Sequence, residues 1–187
     1  MSSVRCMSGM FNEAHSFNQP IHSWNVSSII RMASMFCEAK SFNQDIRLWY
    51  VSCVTNMEQM FFYAISFNQD IGLWNVSNVT NMSRMFYYAV SFNKNIGAWN
   101  VCNVNNMNMM FHNAKEFNQY IGEWNVSNVY FMYHMFQGAS SFNQYIGKWP
   151  IKSDTIINGL FDKKKIKLSL NYLKRNYMEI KLLNTFH

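Results

Sequence analysis

The stretch SFNQDIGLWNVSNVTNMSRMFYYAV, residues 66–90, decides the fold, because close copies of it fill most of the chain without an insertion. Its tryptophan, Trp74, recurs at a constant interval of 25 residues from Trp24 to Trp149. The shared unit reads FNxxIxxWxVxxVxxMxxMFxxAxx. A period of this length is typical of proteins in which each repeat forms one coil of a stacked solenoid. We therefore expect residues 1–161 to form a repeat solenoid of about six coils.

The spacing of apolar residues within one repeat predicts its local structure. Between Val79 and Ala89 they are separated by three, three, one and three positions, which predicts short helical turns over residues 81–89. Residues 70–76 contain an alternating Trp-x-Val pair, which predicts a short strand with a bend before the tryptophan. The expected fold is leucine-rich-repeat-like, with short parallel strands and short helical turns.

Residues that recur in every copy are expected to stack on their own copies, because one 25-residue repeat buries too little apolar surface to fold alone. Asn68 is the polar member of this set. Its amide has two donors and two lone pairs, so we predict a structural asparagine ladder rather than a ligand site. The predicted ladder residues of one repeat are Phe67, Asn68, Ile71, Trp74, Met82, Met85 and Phe86.

The distribution of charge and the positions of the cysteines argue against several classes of function for this chain. Residues 1–149 carry eight basic and seven acidic side chains, whereas residues 150–187 carry eight and three, so most of the net charge of +6 lies at the end. The main body is therefore not predicted to be a general nucleic-acid surface. The four cysteines occupy unrelated repeat positions and predict neither disulfides nor a zinc site. Without a recognisable signal peptide or membrane span, an intracellular location is expected unless upstream sequence is missing.

No arrangement of residues predicts catalysis. The sequence lacks the GxxxxGK[ST], GxGxxG and HExxH motifs, and its five histidines fall at different repeat positions. His112 and His134 could be neighbours on adjacent repeats, but two histidines without nearby carboxylates are a weak metal set. We expect no enzyme activity, no cofactor and no small-molecule substrate.

The positions at which the copies differ are the candidates for function, because buried ladders must repeat whereas exposed positions can drift. Aromatic patches on the surface are favoured at protein interfaces. The alternative is that these side chains pack inward or cover neighbouring repeats. The candidate partner-binding residues are Phe62, Tyr63, Tyr87 and Tyr88, which follow the Met-Phe pair in two repeats, together with Tyr120 and Tyr145 in a second group that includes Tyr130, Phe131 and Tyr133.

The basic C-terminal segment, residues 162–187, carries a helical stripe of apolar residues. It is predicted to be a helix that caps the open end of the repeat stack. The alternative is that it contacts nucleic acid or an anionic membrane. The residues that would make this contact are Lys163, Lys164, Lys165 and Lys167.

The string FNQDIGLWNVSNVTNMSRMFYYA closely resembles the BspA-like, mycoplasma-type surface-protein repeat, whose pattern reads roughly FNxDIxxWDVSxVTxMxxMFxxA, and the resemblance covers residues 7–149. It implies a right-handed leucine-rich-type solenoid with a role in binding or adhesion and no catalytic residues. The acidic positions of that pattern are mostly amides here, as at Asn75, Asn81 and Asn100. The composition, rich in Asn, Lys and Ile, is typical of AT-rich coding sequence. It suits a large DNA virus or a protist as the source.

The predicted function is a non-enzymatic module that binds an unidentified protein through exposed aromatic and variable positions. The alternative is a purely structural or degenerate repeat copy with no specific ligand. The oligomeric state is left open by the sequence.

Overall fold

The computed structural model describes residues 4–162, in which successive repeats stack in chain order. Isolated parallel bridges join equivalent residues 25 positions apart, from the Cys6–Arg31 bridge to the Phe131–Ile156 bridge. Neither a helix nor an extended strand is present between residues 4 and 162. The backbone consists of β-turns, bends and these single bridges.

Backbone N–H groups after each bridge alternate between two kinds of acceptor. The N–H of Met82 donates to the carbonyl of Asn106 in the next repeat at 3.0 Å. The N–H of Phe86 donates to the carbonyl of Met110 at 2.9 Å. Between them, the N–H of Met85 donates back to the carbonyl of Met82 at 3.2 Å and closes a β-turn. The segment from Met82 to Phe86 thus forms a β-turn of its own and also hydrogen-bonds to the next repeat.

The predicted helical turns over residues 81–89 are therefore wrong. This segment is a series of β-turns, including one from Met82 to Met85 and one from Phe86 to Ala89. The first and last side chains of each turn enter the core, since all four of these residues are fully buried. Consecutive β-turns thus place apolar residues at intervals of three, which is the spacing that also marks one face of a helix.

The predicted strand over residues 70–76 is also wrong, because this segment turns instead of extending. The expected bend is a β-turn, in which the N–H of Trp74 donates to the carbonyl of Ile71 at 3.1 Å. The indole Nε1–H of Trp74 donates to the carbonyl of Ile46 in the preceding repeat, also at 3.1 Å. The same indole hydrogen bond recurs in later repeats. The tryptophans therefore pack in the core and also hydrogen-bond one repeat to the repeat before it.

Phenylalanine rings form two parallel columns in the core. Phe86 stacks on Phe92 at a centroid distance of 4.0 Å and on Phe111 of the next repeat at 5.6 Å. Phe67 and Phe92 are 5.9 Å apart in the second column. The ladder residues Phe67, Ile71, Trp74, Met82, Met85 and Phe86 are all buried.

The asparagine column runs along the stack as a chain of side-chain acceptors. The N–H of Asn68 donates to Oδ1 of Asn43 at 2.9 Å, and the N–H of Asn93 donates to Oδ1 of Asn68 at 3.0 Å. Gln69 adds a second donor to Oδ1 of Asn43, at 2.9 Å. Lys94 stands at the equivalent position of the next repeat, so Oδ1 of Asn68 lacks this second bond.

Two positions in each repeat have left-handed backbone conformation. Arg84 has φ of 55° and Tyr88 has φ of 54°, each at the third position of its β-turn, as in a type II turn. Glycine occupies these positions in some repeats, at Gly9, Gly138 and Gly159. The other residues with positive φ at these two positions are Glu13, Ser34, Glu38, Gln59, Tyr63, Met109, Asn113 and His134.

The amides that replace acidic residues of the resembled pattern serve as acceptors in tight turns. Oδ1 of Asn75 accepts the N–H of Ser77 at 3.1 Å, and Oδ1 of Asn81 accepts that of Ser83 at 2.9 Å. Aspartate would supply the same acceptor oxygen, so the exchange keeps the turn and removes the charge.

The repeat pattern fades over the last residues that the structure describes. The N–H of Gly138 donates to the carboxylate Oδ2 of Asp162 at 3.1 Å, where earlier repeats use a main-chain carbonyl. Leu160 and Phe161 are buried, although they belong to the last partial repeat. The predicted C-terminal helix, apart from Asp162, lies outside the described residues.

Candidate functional site

The two residues after the core phenylalanine of each repeat lie at the centre of a β-turn and point away from the core. In one repeat this turn runs from Phe86 to Ala89, which are both fully buried, and an N–H to carbonyl bond of 3.1 Å closes it. Tyr87 and Tyr88 are the two central residues and are half-buried. Because the core holds both ends of the turn, the central side chains can differ between repeats without disturbing it.

Aromatic side chains at these central positions stack along the direction of the repeats. Phe62 and Tyr87 lie with ring centroids 4.7 Å apart and planes within 6°, and Tyr87 and His112 repeat this arrangement at 4.7 Å and 5°. Beside them, Tyr63 and Tyr88 stack at 4.5 Å and 5°. We call these five residues, Phe62, Tyr63, Tyr87, Tyr88 and His112, the aromatic cluster.

The two stacks of the aromatic cluster also contact each other sideways. Tyr87 and Tyr88 lie 5.0 Å apart with planes tilted by 48°, and Phe62 and Tyr63 lie 5.0 Å apart at 53°. Both faces of the Tyr87 ring are covered, by Phe62 on one side and His112 on the other. What Tyr87 leaves accessible to a partner is therefore its ring edge and its hydroxyl group. Rings held in this way lose little conformational freedom on binding.

Burial in the cluster shifts the proton equilibria of its polar groups. It raises the pKa of the Tyr63 and Tyr87 hydroxyls, and the neighbouring tyrosines act in the same direction. These hydroxyls are therefore protonated hydrogen-bond donors at neutral pH. Burial lowers the pKa of His112, whose Nδ1 is buried without a hydrogen-bond partner. His112 is thus a neutral member of the stack at neutral pH.

The aromatic cluster is bounded along the stack by smaller or polar residues. Cys37 and Glu38 occupy the equivalent positions in the repeat before it, and Gln137 and Gly138 occupy those in the repeat after it. Burial, with a contribution from the charge of Glu38, raises the pKa of the Cys37 thiol to about 11, so this thiol is not a reactive thiolate. The cluster is therefore a discrete patch in the middle of the stack.

Tyr120 and Tyr145 lie at a different position, in the segment that precedes the tryptophan turn. The exposed Tyr120 donates its hydroxyl proton to Oε1 of Glu123 at 2.7 Å, and Nζ of Lys148 lies 2.9 Å from the same oxygen. A side chain on Gly147 would collide with the Tyr145 ring, so that ring lies against the backbone. No ring contact between residues 4 and 162 connects Tyr120 or Tyr145 to the aromatic cluster.

The remaining aromatic residues of the second predicted group are also separate from Tyr120 and Tyr145. Tyr130 and Phe131 are exposed, and the ammonium group of Lys152 lies 5.3 Å from the Tyr130 ring centroid. Tyr133 contacts His134 edge-on at 4.8 Å. The structure thus joins the first predicted group into one patch. Of the second group, Tyr133 comes near this patch through His134, whose ring lies 6.4 Å from that of His112.

The structure places the two histidines that the sequence pairs, His112 and His134, beside each other. His112 and His134 are neighbours, with ring centroids 6.4 Å apart and planes nearly perpendicular. No group of three or more His, Cys, Asp or Glu side chains within residues 4–162 could hold a metal ion. In the same range no helix is long and apolar enough to cross a bilayer. Lys163, Lys164, Lys165 and Lys167 lie outside the described residues.

His112 is the cluster member that was not predicted as a candidate. It aligns with Phe62 and Tyr87 at a period of 25 residues, and this alignment was the available signal. A histidine is easily assigned to metal binding or to proton transfer, although its ring can also continue an aromatic stack.

Comparison with known families matches most of the chain. Two overlapping segments, residues 1–89 and 66–172, match a family model described as a Mycoplasma protein of unknown function, DUF285. That description assigns no activity, ligand or partner. No curated protein and no solved structure matches the chain.

Proposed function

We propose that this chain, which belongs to the Mycoplasma protein family of unknown function DUF285, is a non-enzymatic repeat module that binds another protein through its aromatic cluster. The single observation that carries this proposal is the pair of half-buried stacks that together hold five rings across three repeats. These rings lie at turn positions that the core does not require to be aromatic.

The proposed architecture is a right-handed, leucine-rich-repeat-like solenoid of the BspA-like surface type. Inter-repeat hydrogen bonds at intervals of 24 to 28 residues support the stacked part of this proposal. Solenoids offer a rigid frame on which a few variable positions form a binding surface.

The chemistry of the aromatic cluster favours a protein partner. Tyrosines are enriched at the energetically important centres of protein interfaces, because each combines a large apolar ring with a hydroxyl and few rotatable bonds. In this cluster both faces of Tyr87 are occupied, so a partner would meet the edge and the protonated hydroxyl of this ring. Ring edges carry partial positive charge. The matching partner surface is apolar and carries hydrogen-bond acceptors such as carbonyl or carboxylate oxygens.

The competing reading is that the rings only cover the backbone of their own repeats. Against it stands the sequence of the other repeats, which place Cys37, Gln137 and Gly138 at equivalent positions while their cores remain packed. Coverage by aromatic rings is therefore not needed for the stack to form.

A comparative capture experiment tests the proposal. Full-length protein with Tyr87→Ser and Tyr88→Ser is compared with wild type and with a matched control carrying Tyr130→Ser and Phe131→Ser, which removes two exposed aromatic residues outside the cluster. We expect a protein that wild type and control retain from an extract of the source organism and that the cluster variant loses. Thermal unfolding of each variant verifies the fold. Equal retention by all three proteins, or no retained protein, would favour the purely structural alternative.

A further inference from the structure

Arg84 is a charged residue that lies beside the aromatic cluster. The N–H of Tyr87 donates to the carbonyl of Arg84 at 3.2 Å, so these two residues are the ends of a β-turn. The ends of a β-turn lie within about 7 Å of each other. Met85 and Phe86 between them are fully buried, whereas Arg84 and Tyr87 are half-buried. The side chains of Arg84 and Tyr87 therefore leave the backbone on the same outer side of the stack.

The guanidinium group of Arg84 carries an uncompensated positive charge. Within residues 4–162 it makes neither an ion pair nor a hydrogen bond. Glu58 of the preceding repeat accepts the side-chain amide of Asn81 at 3.1 Å instead. By contrast, Arg47, which lies outside the cluster, pairs with Asp45 at 3.2 Å. Arg84 thus keeps its charge and its N–H donors for a group outside this part of the chain.

Two tyrosine hydroxyls lie on the same side of the cluster as Arg84. The pKa of the Tyr87 hydroxyl is raised chiefly by burial; the charge of Arg84 acts to lower it, and the Tyr133 hydroxyl acts to raise it. The Tyr133 hydroxyl lies 3.8 Å from Sδ of Met109, which is the residue equivalent to Arg84 in the next repeat. One guanidinium and two hydroxyl groups are therefore gathered beside Tyr87, and all three can donate hydrogen bonds.

The other end of the aromatic cluster has the opposite charge. Glu38 occupies the position equivalent to Tyr63 in the repeat before the cluster. The pKa of the Tyr63 hydroxyl is raised by burial, by the neighbouring tyrosines and by the negative charge of Glu38. Lys40 offsets this charge only weakly, because its Nζ is 3.9 Å from Glu38 Oε2 and both side chains are exposed to water. An acidic group of a partner is therefore favoured beside Tyr87 and disfavoured beside Tyr63.

We propose that Arg84 makes the aromatic cluster selective for an acidic protein segment, in which an aspartate or glutamate carboxylate set among apolar residues binds the guanidinium of Arg84. This inference rests on the proposed function, because it names the partner chemistry of the same site. The planar guanidinium matches the two oxygens of a carboxylate, and apolar neighbours of that carboxylate would contact the ring edge of Tyr87. One guanidinium balances the single charge of a carboxylate but not the larger charge of a phosphoryl group.

The backbone at Arg84 allows a substitution that removes the charge and keeps the turn. Arg84 has φ of 55°, and Gln59 has φ of 54° at the equivalent position of the preceding repeat. Arg84→Gln therefore introduces a residue that this turn already carries in its neighbour. Arg47→Gln is the matched control, because it removes an arginine outside the cluster.

Selection from a random-peptide phage library tests the proposal on the full-length protein. The library is selected on wild type, Arg84→Gln, Arg47→Gln and the double variant Tyr87→Ser with Tyr88→Ser. Among peptides that need the two tyrosines, we expect enrichment of Asp and Glu next to apolar residues with wild type and with Arg47→Gln, but not with Arg84→Gln. Cluster-dependent peptides without this enrichment overturn the inference and leave the proposed function standing. Absence of any cluster-dependent peptide contradicts both.

Calorimetric titration with one selected peptide measures the contact itself. Replacing the acidic residue of the peptide by its amide should weaken binding to wild type about tenfold, because a charge-assisted hydrogen-bond pair is lost. The same replacement should change binding to Arg84→Gln very little. An equal loss with both proteins would show that the carboxylate binds elsewhere. A peptide with phosphoserine at this position should not bind more tightly, and tighter binding would contradict the choice of a carboxylate.

Discussion

The asparagine column allows one prediction to be worked out in detail, because the side-chain oxygens of two of its members differ by one hydrogen bond. Oδ1 of Asn43 accepts both the N–H of Asn68 and the amide of Gln69, whereas Oδ1 of Asn68 accepts only the N–H of Asn93. Replacing either asparagine by alanine leaves a half-buried backbone donor without its acceptor, which costs about 1–3 kcal/mol. Asn43→Ala also weakens the Gln69 bond. We expect it to cost about 0.5–1 kcal/mol more than Asn68→Ala.

Two further substitutions separate the hydrogen bonds from side-chain volume. Asn43→Asp keeps the acceptor oxygens and should cost less than Asn43→Ala. Lys94→Gln restores the donor that one repeat lacks and should stabilise the protein by about 0.5–1 kcal/mol. For a chain of this length, 1 kcal/mol corresponds to a shift of about 2–4 °C in the thermal midpoint.

Urea and thermal unfolding, followed by circular dichroism, measure these differences. Midpoints are compared between variants, because repeat arrays do not always unfold in two states. If Asn43→Asp is as destabilising as Asn43→Ala, or if Lys94→Gln brings no gain, the asparagine oxygen is not the group that stabilises the turn.

Three other measurements probe separate features. Arg84 has a positive φ, so Arg84→Gly should be more stable to urea than Arg84→Ala by about 1 kcal/mol, the reverse of the order in a helix or strand. Burial lowers the pKa of His112 in the folded state, so the unfolded chain binds its proton first and stability should fall as pH drops below about 6.5; His112→Phe should reduce this loss, and equal pH profiles would contradict it. With a thiol pKa of about 11, Cys37 should react with iodoacetamide at pH 8 more slowly than the exposed Cys6, whose pKa is lowered by its hydrogen bonds to Ser8, as peptide mass spectrometry can measure.

The sequence predicts which side chains enter the core more accurately than it predicts the backbone conformation. Phe67, Ile71 and Trp74 recur at a fixed interval, and the structure buries all three. A residue that must pack against its own copy cannot vary, so periodicity alone identifies it. Periodicity does not identify the backbone, because a series of β-turns and a helix both place apolar residues at intervals of three. The spacing over residues 81–89 therefore predicts helical turns where the backbone forms β-turns.

The left-handed backbone positions were hidden for a different reason. Arg84 and Tyr88 are not residues that signal positive φ. The signal lies in other repeats, where Gly9 and Gly159 align with Arg84 and Gly138 aligns with Tyr88. Comparing the repeats position by position would have revealed it.

The candidate site was only partly predictable. The positions after the core phenylalanine were identified because the copies differ there, and the structure stacks Tyr63 on Tyr88. Variation between the copies groups Tyr120 and Tyr145 with Tyr130, Phe131 and Tyr133, although no ring contact within residues 4–162 joins the two sets. Variation between the repeats shows that a side chain lies outside the core. It does not show which other surface side chains are its neighbours.

The alternation of backbone donors has a mechanical consequence. The bonds that join one repeat to the next run along the stack, as from Met82 to Asn106, so a pull between the two ends of the chain loads them one interface at a time. Under such a force the repeats should detach one after another, because the bonds of one interface break before those of the next are loaded. Each detached repeat of 25 residues should lengthen the chain by at most about 80–90 Å. Stretching a single molecule would then give a series of small, evenly spaced force peaks, and their number would count the repeats.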